Sequence, residues 1–288
     1  MSSPAPPARR GTDRRATVRR SIAAVLAVGA VLVLADFGTA AAAEYGISRQ
    51  MRDRLQLPED PSVRVQGFSF IAQAVTGRYD QVDVSMQRVP IGSMRTPVIG
   101  VRMYGVRAPI ADLVGSDARF RAAAARSSVQ IGPLDVRRMV VARGGPAATV
   151  ERLTVEQVEP DTIDEAVVAG GDPTLRGLDP RTAALFAAEM PVDGAETRVA
   201  VLSALVVSDG ALRIVPRDVR EYGTGEPVPA TVREALTDAL AIDLDPGPLP
   251  LGVPATTASV PGPDVLEISG SVRDLAVGDG EPSSGSTS

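Results

Sequence analysis

The 288-residue sequence contains no His, Cys, Trp, Lys or Asn, so all 30 of its basic residues are arginine. Lysine and asparagine codons are AT-rich, and a GC-rich coding sequence accounts for that bias. The chemical consequences hold regardless of its origin. A Ser-His-Asp or Cys-His nucleophilic pair is impossible. So are a phosphate-binding lysine of the Walker type, a Schiff-base lysine, and a zinc site built on His or Cys. Without cysteine there is neither a disulfide framework nor a lipid-modified thiol. Aromatic residues are scarce, at five Phe and four Tyr. What remains is carboxylate and hydroxyl chemistry, arginine binding and apolar burial, with no cofactor implied.

Charge is divided along the chain. The net charge is −5, yet the first 20 residues hold six Arg and one Asp, while the rest holds 24 Arg against 34 acids. An acidic body with few aromatics argues against nucleic acid as a partner. With 44% hydrophobic residues the chain is long enough to build a core for one or two domains.

The first 43 residues read as an address. Arg9, Arg10, Arg14, Arg15, Arg19 and Arg20 precede an uncharged run from Ser21 to Ala35, then Asp36 and a small-residue stretch from Gly38 to Ala43. That order describes a secretory signal peptide cut after Ala43. The alternative is an uncut anchor, although the uncharged part alone is shorter than the ~20 residues that span a bilayer. Either way the arginines stay inside and the remainder is exported. Arg19-Arg20-Ser21-Ile22 lacks most of the twin-arginine consensus. The expected organisation is a leader or anchor at 1–43, a folded domain at 44–277 and a disordered tail at 278–288. The expected location is the outer face of the cytoplasmic membrane or the periplasm.

Within the exported part, Ile47, Met51 and Leu55 mark one face of a short helix over Glu44–Gln56. Period-2 alternation predicts strands at Tyr79–Arg88, around Val101–Met103 and at Val129–Ile131. Leu134–Arg143 reads as helical, Ala148–Val158 fits strand or helix, and Pro160–Gly171 and Pro180–Met190 read as short helices. Arg198–Val207 and Ala211–Val215, joined through Asp209-Gly210, form a predicted hairpin. Its first strand is apolar on both faces and has to be covered on both sides. Pro229–Ile242 is the clearest helix, and Val265–Val277 suggests two short closing strands.

Carboxylates are plentiful, so a glycosidase-like pair is the enzyme chemistry that composition permits. Glu151 with Glu156, or Asp161, Asp164 and Glu165, are the local groups; a solvated face explains them more simply. Asp172-Pro173 and Asp179-Pro180 read as turn chemistry rather than a calcium loop. The concentrated feature is Gly67–Val84, where Phe68, Phe70 and Tyr79 place three of nine aromatics within a dozen residues. Its Gly-Phe-x-Phe start suggests two rings leaving one face of the backbone. Residue chemistry alone favours a core corner over a ligand wall here.

This string resembles the signature of the actinobacterial LmeA-type phospholipid-binding family, linked to control of mannan chain length. There a Gly-Phe-Pro-Phe segment leads through Gln and Gly into a Tyr-bearing strand. Ser69 stands where that family commonly has Pro, and Ala72 where Thr is frequent. Ala35-Asp36, Leu57-Pro58, Val89-Pro90-Ile91-Gly92, Gly105 to Ile110, Asp209-Gly210 with Leu212 to Pro216, and Leu249 to Gly252 extend the likeness from about residue 35 to 277. Leu251 replaces an aromatic in the last of these, and 144–191 matches poorly.

The resemblance implies an α+β fold of the tubular lipid-binding kind: a curved antiparallel sheet wrapped around a long helix, enclosing an apolar cavity. It implies no enzymatic activity, a phospholipid ligand such as phosphatidylinositol, contact with membrane and envelope glycosyltransferases, and support of lipomannan and lipoarabinomannan synthesis. Phe68, Phe70, Ile71, Val75 and Tyr79 are the expected lipid-binding residues, with Val201, Leu205, Leu236 and Leu240 completing the wall. An acyl chain of about a dozen methylenes contributes on the order of 10 kcal/mol before ordering costs. The alternative is a membrane-anchored structural or assembly partner of envelope enzymes, with a solid core and no lipid cavity.

Overall fold

The computed structural model describes residues 35–53, 59–89, 91, 94–109 and 119–278. The predicted leader up to residue 34, residues 54–56 of the first predicted helix and the tail from 279 lie outside them.

The first helix, α1, is helical over 35–53. Asp36, Ala40, Ala43, Glu44, Ile47, Ser48 and Met51 lie buried or half-buried along one face, with Gln50 and Arg52 half-buried beside them. Those spacings of three and four make one continuous stripe. The helix predicted from Glu44 therefore extends back to residue 35, through the expected cleavage point. Two polar members of the stripe tie it to the neighbouring strand: Glu44 Oε1 accepts the Val65 N–H at 2.7 Å, and the Ser48 hydroxyl donates to the Pro61 carbonyl.

Two antiparallel sheets follow. The first has the order β1-β2-β3-β4-β11-β10, from β1 (Ser62–Gln66), β2 (Arg78–Gln87), β3 (Val98–Arg107), β4 (Phe120–Ile131), β10 (Thr257–Gly262) and β11 (Val265–Val277). The second has the order β5-β6-β7-β8-β9, from β5 (Arg152–Glu156), β6 (Ala183–Val192), β7 (Ala195–Ser208), β8 (Ala211–Glu221) and β9 (Asp243–Leu244). Helix α2 (Phe70–Thr76) precedes β2. Helices α3 (Pro133–Val141), α4 (Pro160–Val168) and α5 (Ala230–Leu240) join the later strands. The chain is thus α+β with curled antiparallel sheet, as expected.

The main core lies between the sheets and under α3 and α5. Ile99, Val129, Leu266 and Ile268 of the first sheet meet Phe186, Val199, Val201 and Ile214 of the second, with Val136, Val140, Leu236 and Leu240 from the helices. The alternation of β7 explains why it is apolar on both faces. Val199, Val201 and Leu205 enter the main core, whereas Leu202 points the other way into a small cluster with Val158, Ile163 and Leu175. Around Leu202 the second face is therefore covered by the α4 region, while Ala200 borders an open cleft and Val206 is exposed.

Two predicted elements differ from the structure, and one left open between strand and helix is settled. Pro180–Met190 is not a helix: only Pro180–Thr182 forms a 3-10 turn, and Ala183–Val192 is a strand whose pairing with β7 overrides the helix propensity of its alanines and leucine. Val265–Val277 is one long strand, because β4 offers it partners from Phe120 to Ile131. Ala148–Val158 resolves as the strand β5. The β7–β8 turn matches its sequence signal, with Asp209 and Gly210 at φ of 53° and 82°.

Candidate functional site

The corner where α1, α2 and β2 meet holds most of the expected lipid-binding residues. Gly67 enters it at φ +110°, and a Cβ there would lie 2.6 Å from Asp80 Oδ2. The Phe68–Ser69 peptide is cis. Asp36 of α1 then receives the start of α2: its carboxylate accepts the N–H groups of Phe70 and Ile71, each at 2.8 Å, and the Ser69 hydroxyl. Helix α2 ends at Gly77, φ +63°, where any Cβ would press on the Ala108 carbonyl at 2.9 Å.

This geometry separates the aromatic pair. Phe68 lies before the helix and is 73% exposed, whereas Phe70, its first residue, is 4% exposed. The expectation that both rings leave on one face fails because the backbone changes from extended to helical between them. Ile71 and Val75, one helical turn apart, are exposed beside Phe68. Together with Asp36, Ser69, Ala72 and Thr76 they line an open apolar hollow of about 540 Å³.

Beneath α2 lies a second apolar cluster, of Phe70, Tyr79, Val82, Val101, Met103, Val106, Ala122 and Ala125. Its rim is only half covered, by residues including Ala40 and Ala43 of α1, Val65, Phe120 and Leu275. Inside it the Tyr79 hydroxyl is fully buried and has no hydrogen-bond partner among the described residues. Burial raises its pKa above the ordinary phenol value. Buried tyrosines normally place that hydroxyl against a polar group, so among the described residues this donor stands unsatisfied amid apolar walls, as does the buried Gln73 Nε2 of α2.

Sequence reasoning missed a row of arginines at the same end of the first sheet. Arg78 pairs across strands with Arg107, and Arg107 with Arg121, so the three stand side by side and exposed on neighbouring strands. Arg78 follows directly after Gly77, the cap of α2. These residues are far apart in sequence and meet only through strand register, which no local pattern reveals.

The remaining expected residues lie elsewhere. Val201, Leu205, Leu236 and Leu240 are brought together, but in the main core, at no more than 4% exposure. They touch one another's cluster rather than the α2 hollow. A larger cleft of about 600 Å³ lies on the second sheet, lined by Glu156, Glu159, Glu165, Asp218 and Glu221 against Arg220. That excess of carboxylates repels a phosphate group.

Within that cleft Glu156 accepts from Arg198 at 2.6 Å and from the Tyr222 hydroxyl at 2.9 Å, and Arg198 stacks 3.8 Å over the Tyr222 ring. Asp218 pairs with Arg220 at 2.7 Å. The acids most deeply placed there are thus held in ion pairs, and the ring a sugar would need is covered. Asp172 and Asp179 accept the N–H groups of Thr174 and Arg181, the turn chemistry expected of them. Among the described residues no group of three or more acids is arranged to hold a metal ion, and no helix is long and apolar enough to cross a membrane.

A family model described as LmeA-like phospholipid-binding matches residues 34–268. No curated protein and no solved structure matches the chain. The matched span takes in α1, the α2 corner, the second sheet and the first sheet as far as the first four residues of β11.

Proposed function

The chain belongs to the LmeA-like phospholipid-binding family, and from that premise we propose that it is an exported phospholipid carrier or receptor at the outer face of the cytoplasmic membrane. Acyl chains enter by the hollow of Phe68, Ile71 and Val75 and lodge beneath α1 and α2, among Phe70, Tyr79 and the alanines around them. The observation that carries this placement is the Tyr79 hydroxyl. A donor buried without a partner is costly, and a lipid ester or glycerol oxygen drawn into the cluster satisfies it. The partly buried rim supports the same reading, because Ala40 and Ala43 of α1 set little side-chain bulk against the cluster.

The stripe on α1 bears on the leader. Asp36 and Ala40 stand before Ala43, Glu44 and Ser48 after it, and all four belong to one packed face. Cutting after Ala43 removes the acceptor that holds α2. We therefore propose that the segment from residue 35 is retained, so that the body stays tethered. Lipid handled there is available to lipoglycan synthesis, with glycosyltransferases as partners and a phosphatidylinositol-like lipid as ligand.

Native mass spectrometry of the full chain, purified from a bacterial membrane, tests both statements. A bound phospholipid that weakens in Tyr79→Phe, with residues 35–43 still attached, is expected. Absence of co-purifying lipid together with no saturable uptake of a fluorescent phospholipid sinks the lipid reading.

One observation favours a second reading. The main core is filled by Val201, Leu205, Leu236 and Leu240, as a solid assembly partner of envelope enzymes requires. That reading predicts stable co-isolation of a glycosyltransferase with no lipid on the chain.

A further inference from the structure

We infer that the α2 end of the first sheet is a docking surface for an anionic phospholipid bilayer, with Phe68, Ile71 and Val75 entering the interface and Arg78 and Arg107 meeting lipid phosphates. The inference rests on the membrane-face reading above and adds an orientation to it.

Two independent observations converge on that end. The first is charge. Like charges directly opposite on neighbouring strands repel one another, and the three arginines stand in one register row on an otherwise acidic body. Neither Arg78 nor Arg107 makes an ion pair with any described residue. Guanidinium groups bind phosphate oxygens through paired N–H donors, so a plane of phosphates relieves the repulsion that the register creates. An acidic protein partner offers the same sign of charge but no matching apolar layer for the exposed side chains beside Arg78.

The second observation is the place of Asp36 in the sequence. The uncharged run that starts at Ser21 leads directly into Ala35 and Asp36, and Asp36 lines the hollow beside Phe68, Ile71 and Val75. A bilayer that holds the run places Asp36 at its surface, and the hollow comes with it. Apolar side chains at the level of the acyl boundary with arginines at the level of the phosphates is the arrangement of proteins that lie in a membrane interface.

The absence of native cysteine makes the test direct. Val75 and Val168 are equally exposed, at 82% each, and Val168 closes α4 on the other sheet. The full chain, carrying either Val75→Cys or Val168→Cys, is labelled with a polarity-sensitive fluorophore. It is reconstituted in vesicles of phosphatidylcholine alone or mixed with phosphatidylglycerol.

In the mixed vesicles the label at Val75 shifts to the blue and is quenched by brominated lipid, while the label at Val168 does neither. Adding Arg78→Ser and Arg107→Ser lowers the quenching at Val75 to its level in phosphatidylcholine alone, with Tm unchanged as the check on folding. Equal responses at the two positions overturn the inference, and so does a Val75 response that ignores lipid charge. A wet Val75 on a chain that still co-purifies with lipid removes docking and leaves lipid binding standing. A dry Val75 on a lipid-free chain upholds docking and removes the carrier reading.

Discussion

Asp36 and Phe70 are joined by a hydrogen bond of 2.8 Å from the Phe70 N–H to the Asp36 carboxylate, and the Ile71 N–H makes a second of equal length. One side chain on α1 thereby fixes where α2 begins. Asp36→Ala leaves both N–H groups without their acceptor and frees Phe70 from the second cluster. Lower Tm is expected, with faster hydrogen exchange at Phe70 and Ile71 than at the amides of β7. Asp36→Asn keeps an acceptor oxygen and is expected to be milder. Equal exchange in the wild type and Asp36→Ala contradicts the role given to this carboxylate.

A second buried carboxylate, Asp135 of α3, predicts the response to acid. Burial pushes its pKa up. The N–H groups of Arg95 and Thr96, the Thr96 hydroxyl and the Arg138 guanidinium together outweigh this and hold it below the ordinary value. A folded-state pKa lower than the unfolded one gives stability that is present above the unfolded value, near ~3.9, and is lost as pH falls through the folded one. Urea midpoints therefore decline below about pH 4. Asp135→Asn is expected to cost about 2–3 kcal/mol at neutral pH and to flatten that acid limb.

At alkaline pH two of the four phenols titrate late. Tyr222 is raised by donating to Glu156 and by burial, and Tyr79 by burial alone. Ultraviolet titration should resolve a component above about 10. Part of it disappears in Tyr222→Phe and the rest in Tyr79→Phe. A raised phenol pKa adds stability below the unfolded value that is lost as pH climbs through the folded one, so both variants should unfold less steeply in alkali than the wild type. Four phenols titrating together near about 10 contradict the buried placement of Tyr79.

The main core and the α2 surface should also part company in stability measurements. Leu236 is fully buried between α5 and the second sheet, and Leu236→Ala is expected to cost about 2–5 kcal/mol. Val75→Ser, at an exposed position, should change stability in solution by less than about 0.5 kcal/mol. If Val75→Ser proves as costly as Leu236→Ala, the side chain is part of the core and not of a surface.

Much of this architecture was legible in the sequence because its signals are local. Alternation in Tyr79–Arg88, Asp209-Gly210 between two apolar runs, and the stripe of Val232, Leu236 and Leu240 each report a single element. Ala183–Val192 was misread because alanine and leucine favour a helix, and only its partner β7 makes a strand of it. The corner of Gly67–Val84 was found from its aromatics, but the opposite fates of Phe68 and Phe70 depend on Asp36, more than thirty residues earlier. Arg78, Arg107 and Arg121 carry no local signal, and nothing short of the strand register places them side by side.

The pairing of β11 with β4 has a consequence for the order of assembly. Residues 265–277 form the penultimate strand of the first sheet, between β4 and the edge strand β10. During synthesis β4 emerges with one edge bare, and its backbone donors stay unmatched until nearly the whole chain has been made. An unprotected edge of that length invites pairing with other chains. Closure is thus a late, long-range event, slow in the manner of folds built from distant contacts. Truncation before Val265 is expected to yield aggregates rather than a smaller folded body.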